Sequence, residues 1–367
     1  MKKIAIIGNY GAGNIGDELI LRGLLEIVGK KFPGAKITVM SANPEQTSLE
    51  HKVASCHKFP AGLKSFFAFF KTRKYTIPVL KEADFVIFGG GGLFGGPEDR
   101  ANYIWALQAL WVMLYRKKLI IFGQSLGPPK NSKIKYLVKK IFAYASKIYV
   151  RDKFSANLIR ELLPMTRVTV LPDCAFATKI PTKPSSYKAY KEILIVLRDY
   201  HGLNLSFLSN LAEFLNYLTI EKKCHLSLLP FQENSQSNDN KLHKKLLQSL
   251  LNKDNVTIYS VPKTQEELLE RYNHADLVIG MRLHSIITAI KTRRPFIALS
   301  YDQKVTSLLK DFKLQDLGVE ITKFNNSRQL KQKYTVIQQN NLAIKQYLRE
   351  CEATSREKLL KLDFKDL

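Results

Sequence analysis

Short apolar runs recur along this chain, and most are continuous rather than alternating. They are Lys3–Gly8, Lys36–Met40, Phe85–Phe88, Leu119–Gly123, Lys147–Val150 and Val168–Leu171, then Ile193–Leu197, His225–Leu229, Val256–Tyr259, Asp276–Gly280 and Pro295–Ser300. A strand with one wet face alternates apolar and polar residues. An unbroken run implies burial on both faces, as for a parallel strand between two layers of helices. Helical patterns fill the intervals, among them Glu18–Val28 and Lys133–Ala145. Thr264-Gln-Glu-Glu267 reads as a capping box opening a helix over Gln265–Tyr272. This order restricts the fold to doubly wound α/β units.

At 367 residues the chain exceeds one ordinary core and suits two domains of about 150 residues each. The stretch Thr178–Lys191 is rich in Pro, Lys, Ser and Tyr, lacks periodicity and reads as the connection; the strand–helix series restarts at Ile193. The expected organisation is a Rossmann-like N-terminal domain over 1–178 and a second over 192–325, the two facing a cleft. A polar, helix-prone tail over 326–367 carries Leu342, Ile344, Tyr347 and Leu348 at helical spacing.

The formal net charge is +25, and residues 1–180 hold 28 basic against 12 acidic side chains. Such a balance implies polyanionic company: nucleic acid, anionic lipid or a phosphorylated substrate. No nucleic-acid module signature is present, so nucleic acid is not the expected partner. The cysteines Cys56, Cys174, Cys224 and Cys351 stand far apart with no CxxC, which supports neither a zinc site nor a disulfide framework. A reduced cytoplasm is the simplest compartment. Lys2 and Lys3 precede only Ile4–Gly8, which reads as a first strand rather than a signal-peptide core. The longest apolar stretch, Ile104–Tyr115, is interrupted by Gln108 and is too short to span a bilayer. Phe66, Phe67, Phe69 and Phe70, flanked by Lys64, Lys71, Arg73 and Lys74, read either as an interfacial anchor on an anionic membrane or as a core helix with a basic end.

In open α/β sheets, ligands bind beyond the carboxyl ends of the strands. Here those ends carry Asp17, Gly90, Gln124, Arg151, Asp173, Arg198, Gln232, Arg282 and His284. The densest group follows Asp276–Gly280. There Arg282 and His284 meet a helix start, where free N–H groups favour an anion. A fixed guanidinium beside a titratable imidazole suits a carboxylate or phosphate substrate that also needs a proton moved. A surface arginine with a helix-capping histidine is the plainer alternative. Gly11, Gly13 and Gly16 satisfy G-x-G-x-x-G, but Asp17 and Glu18 put negative charge where a pyrophosphate would sit, and Val39–Asn43 offers no acid for a ribose. Dinucleotide binding is therefore not expected. The loop either presents Asp17 to a ligand or uses it to stabilise the helix dipole. Gly89–Gly92 directly follow a buried strand, as expected where backbone approaches a ligand.

Taken in order, GNYGAGNIGDELIL (Gly8–Leu21), GGGGLF (Gly89–Phe94), GQSLGP (Gly123–Pro128), VRDKFSA (Val150–Ala156), DCAF (Asp173–Phe176), IGMRLHSIITA (Ile279–Ala289) and YDQKV (Tyr301–Val305) resemble the polysaccharide pyruvyl transferase family, most closely the branch acting on secondary cell-wall polymers. The resemblance covers most of residues 1–310. It implies a glycosyltransferase type B-like architecture and transfer of pyruvate from phosphoenolpyruvate to two hydroxyls of one sugar, forming a cyclic ketal and releasing phosphate. The acceptor is expected to be a saccharide of a cell-wall or extracellular polysaccharide precursor, carried on a lipid. The enzyme would then be cytoplasmic, with peripheral contact to the inner face of the membrane. Under this reading Arg282 clamps the donor, His284 is acid or base, and Asp17 orients or deprotonates an acceptor hydroxyl. Asn14, Gly16, Gly90, Gly91, Gly92, Gln124, Arg151, Asp173, Arg198, Gln232 and Lys304 bind substrate. No metal or resident cofactor is implied; phosphoenolpyruvate is the co-substrate. Two rivals remain: a sugar-nucleotide glycosyltransferase of the same architecture, and a non-catalytic basic protein binding membrane or nucleic acid.

Overall fold

The structure, a computed structural model, describes residues 1–61, 63–95, 99–180, 190–200, 203, 205–233 and 238–363. Two compact units emerge. One comprises Met1–Ala12, Asp17–Thr178 and Ser355–Leu367; the other comprises Gly13–Gly16 and Lys179–Thr354.

The first unit has the strands β1 (Lys3–Ile7), β2 (Lys36–Ser41), β3 (Ala54–His57), β4 (Phe85–Phe88), β5 (Gly91–Phe94), β6 (Lys118–Leu126), β7 (Lys147–Val150) and β8 (Val168–Val170). Its helices are α1 (Ile15–Lys31), α2 (Pro44–His51), α3 (Leu63–Glu82), α4 (Asp99–Leu114), α5 (Ser132–Tyr144) and α6 (Lys153–Leu162). The sheet runs β3-β2-β1-β4-β6-β7-β8, with β5 paired to β6, and each pairing is parallel. Buried side chains of α3, α4, α5 and α6 share one core cluster with β1, β4, β6 and β7. The winding reverses between β1 and β4, the switch point at which such sheets hold their ligands.

The second unit repeats the scheme with β9 (Glu192–Val196), β10 (His225–Leu228), β11 (Val256–Ile258), β12 (Leu277–Gly280), β13 (Phe296–Ser300) and β14 (Gly318–Glu320). They are ordered β11-β10-β9-β12-β13-β14, again parallel. Its helices are α7 (Leu205–Ile220), α8 (Asp239–Gln248), α9 (Gln265–His274), α10 (Leu283–Thr292), α11 (Gln303–Asp311), α12 (Arg328–Gln339) and α13 (Asn341–Leu360). The switch point here lies between β9 and β12. At α9 the expected cap forms: the Thr264 hydroxyl accepts the Glu267 N–H at 3.2 Å, while the Glu267 carboxylate accepts the Lys263 N–H at 3.0 Å.

The fold differs from the sequence expectation at three strands, β3, β5 and β14. β3 and β14 are edge strands and β5 touches only β6. Such strands need no continuous apolar run. The four-glycine stretch is accordingly not a loop throughout, since Gly91–Phe94 is β5. The expected tail does not stand apart. Tyr334 and Ile337 of α12 are buried, and the Tyr190 hydroxyl donates to the Ile337 carbonyl. Residues 355–363 return to the first unit, where the Arg356 Nε donates to the Ala177 carbonyl at 3.0 Å. Of the expected connection, residues 181–189 lie outside the described residues.

Candidate functional site

In the first unit, β1 delivers Asn9 and Tyr10 to the switch point, and the first turn of α1 delivers Asp17 and Glu18. Both carboxylates are buried. Asp17 accepts the Asn9 amide at 2.8 Å. Glu18 uses one oxygen to accept the Gly11 N–H at 2.8 Å and the other to meet His51 Nε2 at 2.9 Å. The carboxylate of Glu18 thus occupies a backbone donor of the G-x-G-x-x-G loop. Among the described residues, Glu18, Glu50 and His51 bring possible metal-ligating atoms within 4.8 Å of one another. The 2.9 Å contact between Glu18 and His51 makes the group an internal ion pair or hydrogen bond that fixes Gly11.

Lys58 completes this cluster, and the sequence reading missed it. Its ammonium lies 5.1 Å from the Trp105 ring centroid and 3.5 Å from the Gly8 carbonyl. Burial pushes its pKa down to about 8, against the opposing pull of Asp17 and Glu18. A lysine poised there can exchange a proton near neutral pH. It was hidden because it follows β3, a short edge strand without a motif. Tyr10 was missed too. It is fully buried, its hydroxyl has no hydrogen-bond partner, and burial beside Cys174 and Asp17 raises its pKa well above the usual value.

The glycines beside it have local reasons. A Cβ on Gly89 would strike the Tyr10 hydroxyl, one on Gly90 would approach Ile20 Cγ2 to 2.7 Å, and Gly91 takes φ +112°. Gly91 also lies beside Asp17, whose Oδ1 would be 3.5 Å from a Cβ there, while Gly92 is exposed on β5.

Several expected substrate ligands are engaged by the protein itself. Gln124 is fully buried, and its amide donates to the Gly89 carbonyl. The Arg151 guanidinium donates to Asp173 at 2.7 Å and to the Ser125 hydroxyl at 2.6 Å, and Ser125 donates to Asp152 at 2.6 Å. Asp173 also caps the short 3-10 turn at Ala175 N, and Asp152 caps α6 at Ser155 N. This ladder ties the ends of β6, β7 and β8 together.

In the second unit, Arg282 and His284 follow β12 as expected, but the Arg282 fork is filled. Its Nε and Nη2 donate to the two oxygens of Asp239 at 2.9 and 2.6 Å. Asp239, wholly buried, also accepts the Phe231 and Gln232 N–H groups at 3.0 and 3.1 Å. Arg282 therefore anchors the start of α8 to the start of α10. His243, one turn along α8, is the neighbour the sequence reading overlooked.

His284 sits on Gly16, where any Cβ would strike its Nδ1. The Gly16 segment is held by an antiparallel bridge between Asn14 and Gln232 and by the Asn14 side chain, which accepts the Gly16 N–H at 3.1 Å.

Beside them, at the end of β9, Arg198 donates from Nη1 to the Tyr301 hydroxyl at 2.6 Å, and its buried Nε–H has no hydrogen-bond partner. Burial pushes the Tyr301 phenol up to about 12. Asp302 caps α11 by accepting the Lys304 and Val305 N–H groups at 3.1 Å each. Each unit thus gathers ionisable groups at its own switch point.

A sequence model of the family described as Polysaccharide pyruvyl transferase matches residues 14–303. The amylovoran biosynthesis protein AmsJ of Erwinia amylovora is 22% identical, with 87% of this chain and 88% of that protein covered. Among solved structures, MnaA of S. aureus with UDP superposes with a TM-score of 0.64 at 12% identity, covering 99% of this chain and 93% of its own. HepE of Anabaena with UDP-glucose gives 0.63 at 11% identity, covering 98% and 96%. At such identities the likeness shows the fold: two Rossmann-like domains of the glycosyltransferase type B kind.

Proposed function

Because the chain belongs to the polysaccharide pyruvyl transferase family, we propose that it transfers pyruvate from phosphoenolpyruvate to two hydroxyls of a saccharide, closing a cyclic ketal and releasing phosphate. A transferase role in polysaccharide synthesis follows from the family itself. The donor is an anion with a carboxylate and a phosphate, and its enol carbon must gain a proton. One sugar oxygen bonds to the central carbon, and the second displaces phosphate there. Of the two hydroxyl protons, one ends on the methyl group and the other on phosphate, so the reaction balances without a redox step.

The second unit is read as the donor side. The observation that carries this is the Arg198 Nε–H, buried without a partner at the switch point where His284 is seated on Gly16. Arg198 and Lys304 supply positive charge for the donor, and His284 moves the proton. Arg282, held by Asp239, positions the His284 turn and adds its field rather than a free fork. The first unit is read as the acceptor side, with Asp17 orienting or deprotonating a hydroxyl and Lys58 as its proton partner. The acceptor is a cell-wall or extracellular polysaccharide precursor on a lipid carrier, met on the cytoplasmic side. The reaction needs no resident cofactor.

The test is incubation with phosphoenolpyruvate and lipid-linked disaccharides, followed by mass spectrometry and phosphate release. A ketal adduct with stoichiometric phosphate is expected, and His284→Ala lowers turnover by about 100-fold or more. Nucleotide release from a sugar nucleotide in place of phosphate release would make the chain a glycosyltransferase instead, and His284→Ala turnover within a few-fold of the parent would remove that residue from the mechanism.

A further inference from the structure

Helix α4 is apolar on both its faces. From Ala101 to Tyr115 it carries no charged residue, in a chain of which 24% is charged. One face, with Trp105, Ala106, Ala109 and Val112, enters the core. The opposite stripe, Tyr103, Leu107, Leu110 and Leu114, is exposed by 38–70%. A surface helix of a water-facing protein keeps that stripe polar. The stripe spans about 16 Å at 1.5 Å per residue, long enough to lie along an interface and too short to cross one. Among the described residues no helix is long and apolar enough to cross a membrane.

The surroundings of the stripe are basic. Residues 58–140 carry 15 lysines and arginines against four acids. On α3, which packs against the same core as α4, Phe67, Phe70 and Tyr75 are exposed, with Arg73 over the Phe70 ring and Lys74 over the Tyr75 ring. On α5, Lys133, Lys135, Lys139 and Lys140 are exposed. The side chains of Phe66 and Phe69 lie outside what is described, so the anchor expected over residues 63–75 rests on Phe67 and Phe70 alone.

The geometry points to the α3–α4–α5 face as a docking surface for an anionic lipid bilayer: the α4 stripe enters the headgroup boundary, and the surrounding lysines and arginines lie against lipid phosphates. A second copy of the chain is disfavoured as occupant, because pairing this face with itself would oppose two strongly basic rims. The inference stands on exposure and charge and does not depend on which group the enzyme transfers.

Flotation of the full chain with vesicles tests it. The parent co-floats with vesicles containing phosphatidylglycerol, far less with pure phosphatidylcholine, and less at high salt. Leu107→Glu with Leu114→Glu lowers vesicle binding about tenfold or more with the melting temperature unchanged, both positions being exposed. Lys135→Glu with Lys139→Glu, which leaves the stripe intact, weakens binding as well. The proposal fails if the parent ignores phosphatidylglycerol vesicles or if both double variants bind as the parent does. It fails equally if the parent sediments as a dimer that the leucine variant makes monomeric, since the stripe would then be an interface between copies.

Discussion

His243 offers the sharpest test of the electrostatics around Arg282. It is wholly buried, neither ring nitrogen has a hydrogen-bond partner, and burial pushes its pKa from 6.5 down to about 4, with Asp239 opposing the shift and Arg282 reinforcing it. The unfolded chain keeps the ordinary value, so it takes up the proton first as the pH falls. The stability tied to this residue is whole above pH 6.5 and is lost progressively toward pH 4. A gap of about 2.5 pH units at 1.36 kcal/mol each amounts to roughly 3 kcal/mol, of which about 2.5 falls between pH 7.5 and 4.5. His243→Leu replaces an unpartnered imidazole by an apolar side chain of similar size. It is expected to stabilise the second unit by about 1 kcal/mol at pH 7.5 and to remove most of that acid sensitivity. Urea unfolding at the two pH values measures both effects. Both tryptophans, Trp105 and Trp111, belong to the first unit, so far-ultraviolet circular dichroism rather than fluorescence must follow the transition. Parent and variant losing the same stability on acidification would refute the reasoning, because His243 would then be solvated or already charged.

Two further substitutions separate struts from working groups. Asp239→Asn leaves Arg282 buried without its counter-charge and is expected to cost about 3–5 kcal/mol; a change in the thermal midpoint of less than about 2 °C would show the pair to be dispensable. Lys58→Met is expected to lower turnover and to abolish an alkaline limb of kcat/KM near pH 8, the value to which burial brings this lysine. A limb that persists in the variant belongs to another group.

The strand–helix alternation was legible because burial on both faces of a parallel sheet leaves a local mark, an unbroken apolar run. Two of the four edges left none. β3 and β14 have a neighbour on one side only, and Lys58 went unnoticed with the strand that precedes it. Capping also read well at α9, since Thr264 acts on backbone within three residues. What a strand-end side chain does was harder to read, because its partner comes from elsewhere in the chain.

Arg151, Arg198 and Arg282 look alike in the sequence, each following an apolar strand. The fold separates them. Arg151 meets Asp173, 22 positions away, and Arg282 meets Asp239, 43 positions away. A guanidinium whose fork is filled by a buried carboxylate can recognise a second anion only by breaking a strong pair, so it serves as a strut. Arg198 instead meets a neutral phenol through Nη1 and keeps a buried Nε–H unsatisfied. An unsatisfied buried donor costs free energy that an incoming anion can return. Under the proposed function, that asymmetry assigns donor recognition in the second unit to Arg198 more than to Arg282, although the sequence put Arg282 beside the histidine.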